Sequence, residues 1–368
     1  MSSSSRSLAL AAWGDPLDGA TWSGTPKNIA TALRGLAIEV IALDCRASRA
    51  MLGASYALDR ARGFEIGYTR RRLARAKCAE LATSLPQNCA GILHMSSVTV
   101  IPTSAECKAR QFLLADSLHD FWQALHSQRT TRYTPKQALS AELLENEAVE
   151  ATDIAFPIGE HVARSLREHY HFPADKIHVV GTGRGGIKVL EGEKSYDSKQ
   201  VLMVAKQRFH DKGGPLLIEA IQIARRTDPA IELTLVSPDE FRSFAEGAEG
   251  VKVLSDLPWD ELQRLFDEAP LYAMPALCEP WGLVYAEALA TKTPILGLDR
   301  ASFPELSGDG RYGFAAPEAT PESVAKTLVD ALSNPARLKT MGAEGQRYCL
   351  EHFSWERSAR LIAEAVWA

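Results

Sequence analysis

The sequence predicts an α/β protein of two doubly wound, Rossmann-like parallel-sheet domains with a cleft between them, and three observations carry that expectation. Its 368 residues suffice for two hydrophobic cores of ordinary size. In each half, short apolar runs alternate with stretches of helical periodicity, the pattern of βα units feeding a parallel sheet. Between the halves, residues 181–200 (GTGRGGIKVLEGEKSYDSKQ) turn glycine-rich and then charged, which reads as a linker. The expected division is a first domain over 1–182, a linker over 183–200, a second domain over 201–350, and a terminal helix over 351–368 that packs back on the first domain.

In chain order, SLALAAW (7–13) reads as a buried strand. A loop rich in Gly, Asp, Ser and Pro follows, in which Ser23, Gly24 or Thr25 caps a helix whose first turn accommodates Pro26. IEVIALD (38–44) supplies the next strand. Gly24 either lets backbone approach a phosphate or sugar or simply makes a tight turn. The loop after this first strand, residues 14–26, carries no G-x-G-x-x-G fingerprint, so a dinucleotide site is not supported there. Residues 62–85 read as one long helix carrying Arg70, Arg71, Arg72, Arg75 and Lys77. That basic stretch is either a solvated face or a surface for anionic lipid or an anionic acceptor. ILHMSS (92–97) and RQFLLADSLHDFW (110–122) have the apolar density of interior strands. His119 closes the second, at the carboxyl strand edge where open α/β sheets bind ligands, and is either structural or functional there. A helix over 137–150, a strand over 153–160, a helix over 161–172 and a strand over 176–183 complete this half.

The second half offers strands at 201–205, 231–236, 251–254, 271–276 and 294–299. Helices are expected over 213–226, from 282, near 321–333 and over 355–367, the last anchored by Trp355 and Trp367. Two constellations stand out. In AKQRFHDKGG (205–214), Lys206, Arg208 and Lys212 crowd the loop between a strand end and a Gly-Gly helix start. They either neutralise a diphosphate or belong to a solvated connection. In PALCEPWGLVYAEALA (275–290), Pro280 and Gly282 keep Glu279 out of the helix, on the loop that feeds it. Leu283, Ala286, Leu289 and Ala290 recur at helical spacing and carry Glu287 about a turn inside. Between the acids, the N–H groups of Gly282, Leu283 and Val284 form an anion site at the helix start. Two acids flanking an anion site suit a nucleotide-sugar. The carboxyl pair of a retaining glycosidase lies about 5 Å apart around one bond; the loop-plus-helix spacing here is wider.

Composition bounds the partners. With 41 basic and 46 acidic residues the formal charge is −5, which speaks against a general nucleic-acid binder. Six scattered cysteines (45, 78, 89, 107, 278 and 349) contain no C-x-x-C pair and read as reduced thiols of a cytoplasmic protein. MSSSSRS lacks an apolar signal core, and no apolar run approaches the roughly 18 residues of a membrane span. The expected location is the cytoplasm, either free or at the inner membrane surface. No D-x-D pair or other ligand cluster argues for a metal.

These motifs resemble glycosyltransferase family 4, retaining enzymes of the two-domain GT-B fold, most strongly over residues 200–357. The family's E-x7-E signature is present as Glu279 to Glu287, and F-S-W-E (353–356) is similar to the start of the family's C-terminal helix. The resemblance implies that Glu279 contacts the donor sugar, that Glu287 holds the ribose hydroxyls, and that His119 faces the donor sugar. It further implies that Lys206 or Arg208, together with Lys212, holds the diphosphate, and that backbone near Leu254 to Leu257 holds the base. Four positions depart from the pattern. Ala205-Lys206 replaces Gly-Arg, so Arg208 competes for that role. Lys292 stands where a glycine follows the signature helix, S-G-T-P replaces a Gly-Gly pair in the first loop, and Gly159 replaces a frequent Ser. The implied activity is retaining transfer of a hexose-type sugar from a UDP- or GDP-sugar to a saccharide, lipid-linked or small-molecule acceptor, without a cofactor. The alternatives are a nucleotide-sugar epimerase, a phosphorylase (for which no pyridoxal-anchoring lysine motif is recognisable) and a non-catalytic nucleotide-sugar-binding module.

Overall fold

The computed structural model describes residues 6–64, 67–105, 107–124 and 134–368. Its described residues fall into two compact units, one made of the segments up to 183 together with 354–368, the other of 184–353. The first runs β1 (Ser7–Ala12), α1 (Thr25–Gly35), β2 (Glu39–Asp44), α2 (Arg49–Arg62), α3 (Tyr68–Ala82), β3 (Cys89–His94), β4 (Gln111–Ala115), α4 (His119–Ala124), α5 (Pro135–Glu150), β5 (Ile154–Pro157) and α6 (Glu160–Glu168). Its parallel strands pair in the order β2-β1-β3-β4-β5. β1 and β4 are buried along their whole length, as strands covered on both faces must be, and that is why they are spelled as continuous apolar runs.

The second unit runs β6 (Gln200–Val204), α7 (Gly214–Thr227), β7 (Glu232–Val236), β8 (Val251–Leu254), α8 (Trp259–Glu268), β9 (Leu271–Ala273), α9 (Leu283–Ala290), β10 (Ile295–Leu298), α10 (Phe303–Leu306), β11 (Gly313–Ala316), α11 (Pro321–Leu332) and α12 (Pro335–His352). Its six parallel strands are ordered β11-β10-β9-β6-β7-β8. The closing α13 (Trp355–Val366) belongs to the first unit and packs on α1. Among the described residues no helix is long and apolar enough to cross a membrane.

Several elements differ from the sequence expectation. The strand expected over 110–122 stops at Ala115; Ser117 Oγ bonds the Asp116 carboxylate at 2.9 Å, and His119 opens α4 instead of ending a strand. Residues 176–183 form no full strand. They touch the β5 edge through one bridge at Ile177, with His178 N and Val180 N donating to the Ala155 and Pro157 carbonyls at 3.0 Å. The helix expected over 62–85 is α3 alone, because Gly63 in the left-handed region (φ +67°) ends the separate helix α2. α2, α8, α10, α12 and β11 have no counterpart in the sequence reading. In α12, Gly342 and Gly345 weaken the helical signal, but they give a close approach to the Lys292 carbonyl and to Leu289.

The cations at 70–77 are consumed by the fold. Arg75 is 2% exposed and bonds Glu147 at 3.0 Å, the Leu144 carbonyl at 2.6 Å and the Ser97 carbonyl at 3.2 Å. Arg72 pairs with Glu147 at 2.7 Å, Arg71 with Glu145 at 3.6 Å and Lys77 with Glu80 at 3.0 Å. Arg70 lies over the Trp13 ring. Arg71, Arg72 and Arg75 thus serve a network with the acids of α5, against which α3 packs, while Lys77 pairs with Glu80 on the exposed side of α3.

The stretch expected to link the domains belongs to the body of the second unit. Leu190 N donates to the Ala290 carbonyl at 3.1 Å. Lys194 is buried and donates to the Phe266 carbonyl (2.6 Å), the Thr291 carbonyl (3.0 Å) and Thr293 Oγ1 (2.6 Å). Burial pushes its ammonium down to about 7, because a desolvated charge is costly.

Candidate donor site in the second unit

The strand order locates a crevice. β7 and β8 lie on one side of β6, while β9, β10 and β11 lie on the other. The direction of winding therefore reverses between β6 and β9, and loops leaving the carboxyl ends of two such strands diverge and leave room for a ligand. The loop after β6 carries Lys206, Arg208 and Lys212; the loop after β9 carries Glu279.

These two loops brace each other. Arg208 donates to the Cys278 carbonyl at 2.6 Å and to Asp211 Oδ2 at 3.0 Å, and Cys278 N donates to the Asp211 carbonyl at 3.0 Å. Burial opposes the charge on Arg208, but Glu279 and Asp211 outweigh it and hold its pKa above the usual value. Arg208 thus spends its guanidinium on the loop that presents Glu279. Two residues on, Trp281 fixes the same loop: its ring is 3% exposed and meets Phe353 edge-on at 6.0 Å. Ser302 Oγ donates to its carbonyl at 2.7 Å. Gly282 then takes the left-handed conformation (φ +82°), and a Cβ there would lie 2.8 Å from the Tyr285 ring. Both facts require glycine at the start of α9. The first N–H groups of α9, at Leu283 and Val284, have no carbonyl four residues back within the helix.

Glu287 is half-buried on α9. Its Oε1 accepts from Ile187 N at 3.4 Å. Burial pushes the carboxyl upward, and the N–H groups of Ile187 and Gly186 and the charges of Lys212 and Lys206 oppose that rise. Backbone comes close here because Gly185 has no side chain: a Cβ on it would overlap the Glu287 carboxylate. A Cβ on Gly186 would sit 3.0 Å from the Trp259 ring, which in turn lies 5.1 Å beneath Lys206 Nζ. In the second unit the charges of Lys206 and Lys212 thus act on Glu287. Gly185, Gly186 and Trp259 are the residues here that sequence reasoning missed. The Gly-Gly pair at 185–186 was the available signal, since paired glycines mark close backbone approach.

The remaining expected residues are placed as follows. Leu254 ends β8, where its carbonyl accepts from Ser237 N at 3.0 Å; Leu257 is half-buried just before α8. Gly24 and His119 belong to the first unit. Gly24 caps α1 in the left-handed region (φ +79°) after two residues of the same kind, Trp22 and Ser23. It lies in the segment after β1, at the reversal between β1 and β3 in that sheet. His119 follows β4, one strand away from the reversal. Its buried ring places Nε2 3.9 Å from Glu142, whose other oxygen meets His169 at 3.1 Å. Among the described residues no group of three His, Cys, Asp or Glu side chains is placed to hold a metal ion.

Residues 189–348 match the family of glycosyl transferases group 1. The match spans β6 to α12 and includes the cationic loop and both glutamates. Alpha-maltose-1-phosphate synthase of Mycolicibacterium smegmatis is 25% identical over 60% of this chain and 64% of its own length. The chain thus spans just under two thirds of that curated relative. Among solved structures, sucrose-phosphate synthase from Thermosynechococcus elongatus superimposes with a TM-score of 0.72 at 16% identity, over 98% of both chains. HepE from Anabaena, solved in complex with UDP and glucose, does so with a TM-score of 0.66 at 15% identity, over 99% of both. With two doubly wound parallel units, the fold is the GT-B architecture of glycosyltransferases.

Proposed function

We propose that this chain is a retaining glycosyltransferase of family 4 that moves a hexose-type sugar from a nucleoside diphosphate donor to a saccharide, lipid-linked or small-molecule acceptor. One observation carries the reading: Glu287 accepts from the Ile187 N–H and feels the charges of Lys206 and Lys212, which lie on the loop that Arg208 ties to the Glu279 loop. In this reading Glu287 accepts hydrogen bonds from the ribose hydroxyls. Lys206 and Lys212, with the N–H groups of Leu283 and Val284, neutralise the diphosphate. Glu279 binds the sugar, Gly24 and His119 contribute from the first unit, and backbone between Leu254 and Leu257 meets the base.

The chemistry asks for these residue types. Breaking the bond between the anomeric carbon and the phosphate oxygen puts negative charge on the leaving group and positive charge on the sugar. Preorganised cations and helix N–H groups stabilise the first, while a carboxylate on the sugar hydroxyls fixes the anomeric carbon toward the acceptor. Front-face displacement completes the balance: the acceptor oxygen bonds the anomeric carbon, and its proton passes to the departing phosphate. Fixed cations at the phosphate supply the charge neutralisation that the step needs.

The test is release of nucleoside diphosphate from UDP-, GDP- and ADP-sugars, with calorimetry of the free nucleotides alongside. Release from at least one donor, lost in Glu279→Ala while nucleotide still binds, is the expected result. Normal turnover in that variant overturns the role of Glu279. Tight binding of a donor with no release under any acceptor condition assigns a binding module instead.

A further inference from the structure

Trp259 is the most exposed of the large apolar side chains among the described residues. It opens α8 and is 63% exposed. A single exposed aromatic is ordinary on a protein surface, but the surroundings of this one are not. It follows the loop of Leu254 to Leu257, in which Asp256 takes the left-handed conformation (φ +50°). Lys206 Nζ lies over its ring, 5.1 Å from the centroid. The backbone of Gly186 lies against its six-membered ring, where a Cβ would come within 3.0 Å of two ring carbons. A larger residue at 186 would push the indole aside, so glycine there answers a need for space.

The same stretch of backbone relates the ring to Glu287. A Cβ on Gly185 would overlap Glu287 Oε1, and Ile187 N reaches that carboxylate at 3.4 Å. The carboxylate and the indole thus flank two consecutive glycines, whose Cα atoms are about 3.8 Å apart. In a nucleotide the base is bonded directly to the ribose, so a ribose held at Glu287 carries its base into this neighbourhood. An open aromatic ring there is a stacking platform, because every base has a π-face. The gain grows with the apolar area covered, and a bicyclic purine covers more of an indole than a monocyclic pyrimidine. We propose, resting on the donor reading above, that the base of the donor stacks on Trp259 and that this residue selects purine over pyrimidine nucleoside diphosphates. The rival role is to hold the Lys206 ammonium by cation–π attraction alone, and in that case base identity makes no difference.

Calorimetry of the full-length protein with ADP, GDP, UDP and CDP tests it, in the wild type and in Trp259→Ala and Trp259→Phe. The tighter of ADP and GDP should bind about tenfold or more better than UDP or CDP. Trp259→Ala should weaken that purine nucleotide by about tenfold or more and the pyrimidine nucleotides less. Its melting temperature should not change, because the side chain is exposed. Trp259→Phe keeps a ring and should retain most of the purine affinity. Equal affinity for purine and pyrimidine nucleotides in the wild type, or purine binding that Trp259→Ala leaves intact, would overturn the proposal. An equal loss for every nucleotide that binds would overturn it too, giving Trp259 to Lys206 alone. Binding of none of the four sinks the donor reading itself, a result distinct from loss of base preference.

Discussion

Residues 70–77 and residues 206–212 both crowd cations beside carboxylates, and they use them differently. On α3, Arg71, Arg72 and Arg75 find Glu145, Glu147 and two backbone carbonyls within the first unit. In the loop after β6, Arg208 is the cation tied down by side-chain and backbone acceptors. Lys206 is exposed beside Trp259, and both lysines act on Glu287 through space. A cluster of cations becomes a ligand site where the fold supplies fewer acceptors than the cations offer donors; where the acceptors suffice, the cluster is a fastener.

Substitutions separate the two uses. Arg75→Ala strips a buried network of its cation and should cost about 3–5 kcal/mol of stability, read from urea denaturation. Nucleotide affinity of the folded fraction should stay unchanged. Lys212→Ala should do the reverse: nucleoside diphosphate binding weakens by about 1.5–3 kcal/mol, the worth of a hydrogen bond to a charged group, at an unchanged melting temperature. Equal effects of both variants on stability would erase the contrast. Gly185→Ala should cost about 1–3 kcal/mol in nucleotide binding as Glu287 is displaced, seen by calorimetry.

Lys194 shows a third use, a buried cation with three acceptors. Its pKa falls from 10.5 in the unfolded chain to about 7 in the fold, so the unfolded state binds more protons between those values. Stability contributed by this group is then present above pH 10.5 and lost as pH falls toward 7, with a slope of about 1.4 kcal/mol per pH unit inside the window. Lys194→Met should flatten that slope in denaturation series at several pH values; an unchanged slope would refute the shift.

Strands buried on both faces were legible because they are spelled as unbroken apolar runs, as at 201–204, 271–273 and 295–298. The start of α9 was legible because Pro280 and Gly282 break the helix before it. α12 was hidden because glycines spent on close packing look like breaks in a helix. The fate of Arg75 was hidden because helical periodicity in α3 says nothing about acids on α5. The approach of Ile187 to Glu287 was hidden for a plainer reason: one hundred residues separate them, and no local pattern spans that distance.

Glu287 and the segment that reaches it also decide how this protein can be recombined. Residues 184–199 travel with the second unit, through Lys194 and Ile187, while 354–368 travel with the first. A chimera that exchanges the first unit for another therefore needs two junctions, at 183/184 and at 353/354. A single splice at 200 would take the donors to Glu287 from one parent and the carboxylate from the other, and would leave α13 without the α1 surface it was selected to cover.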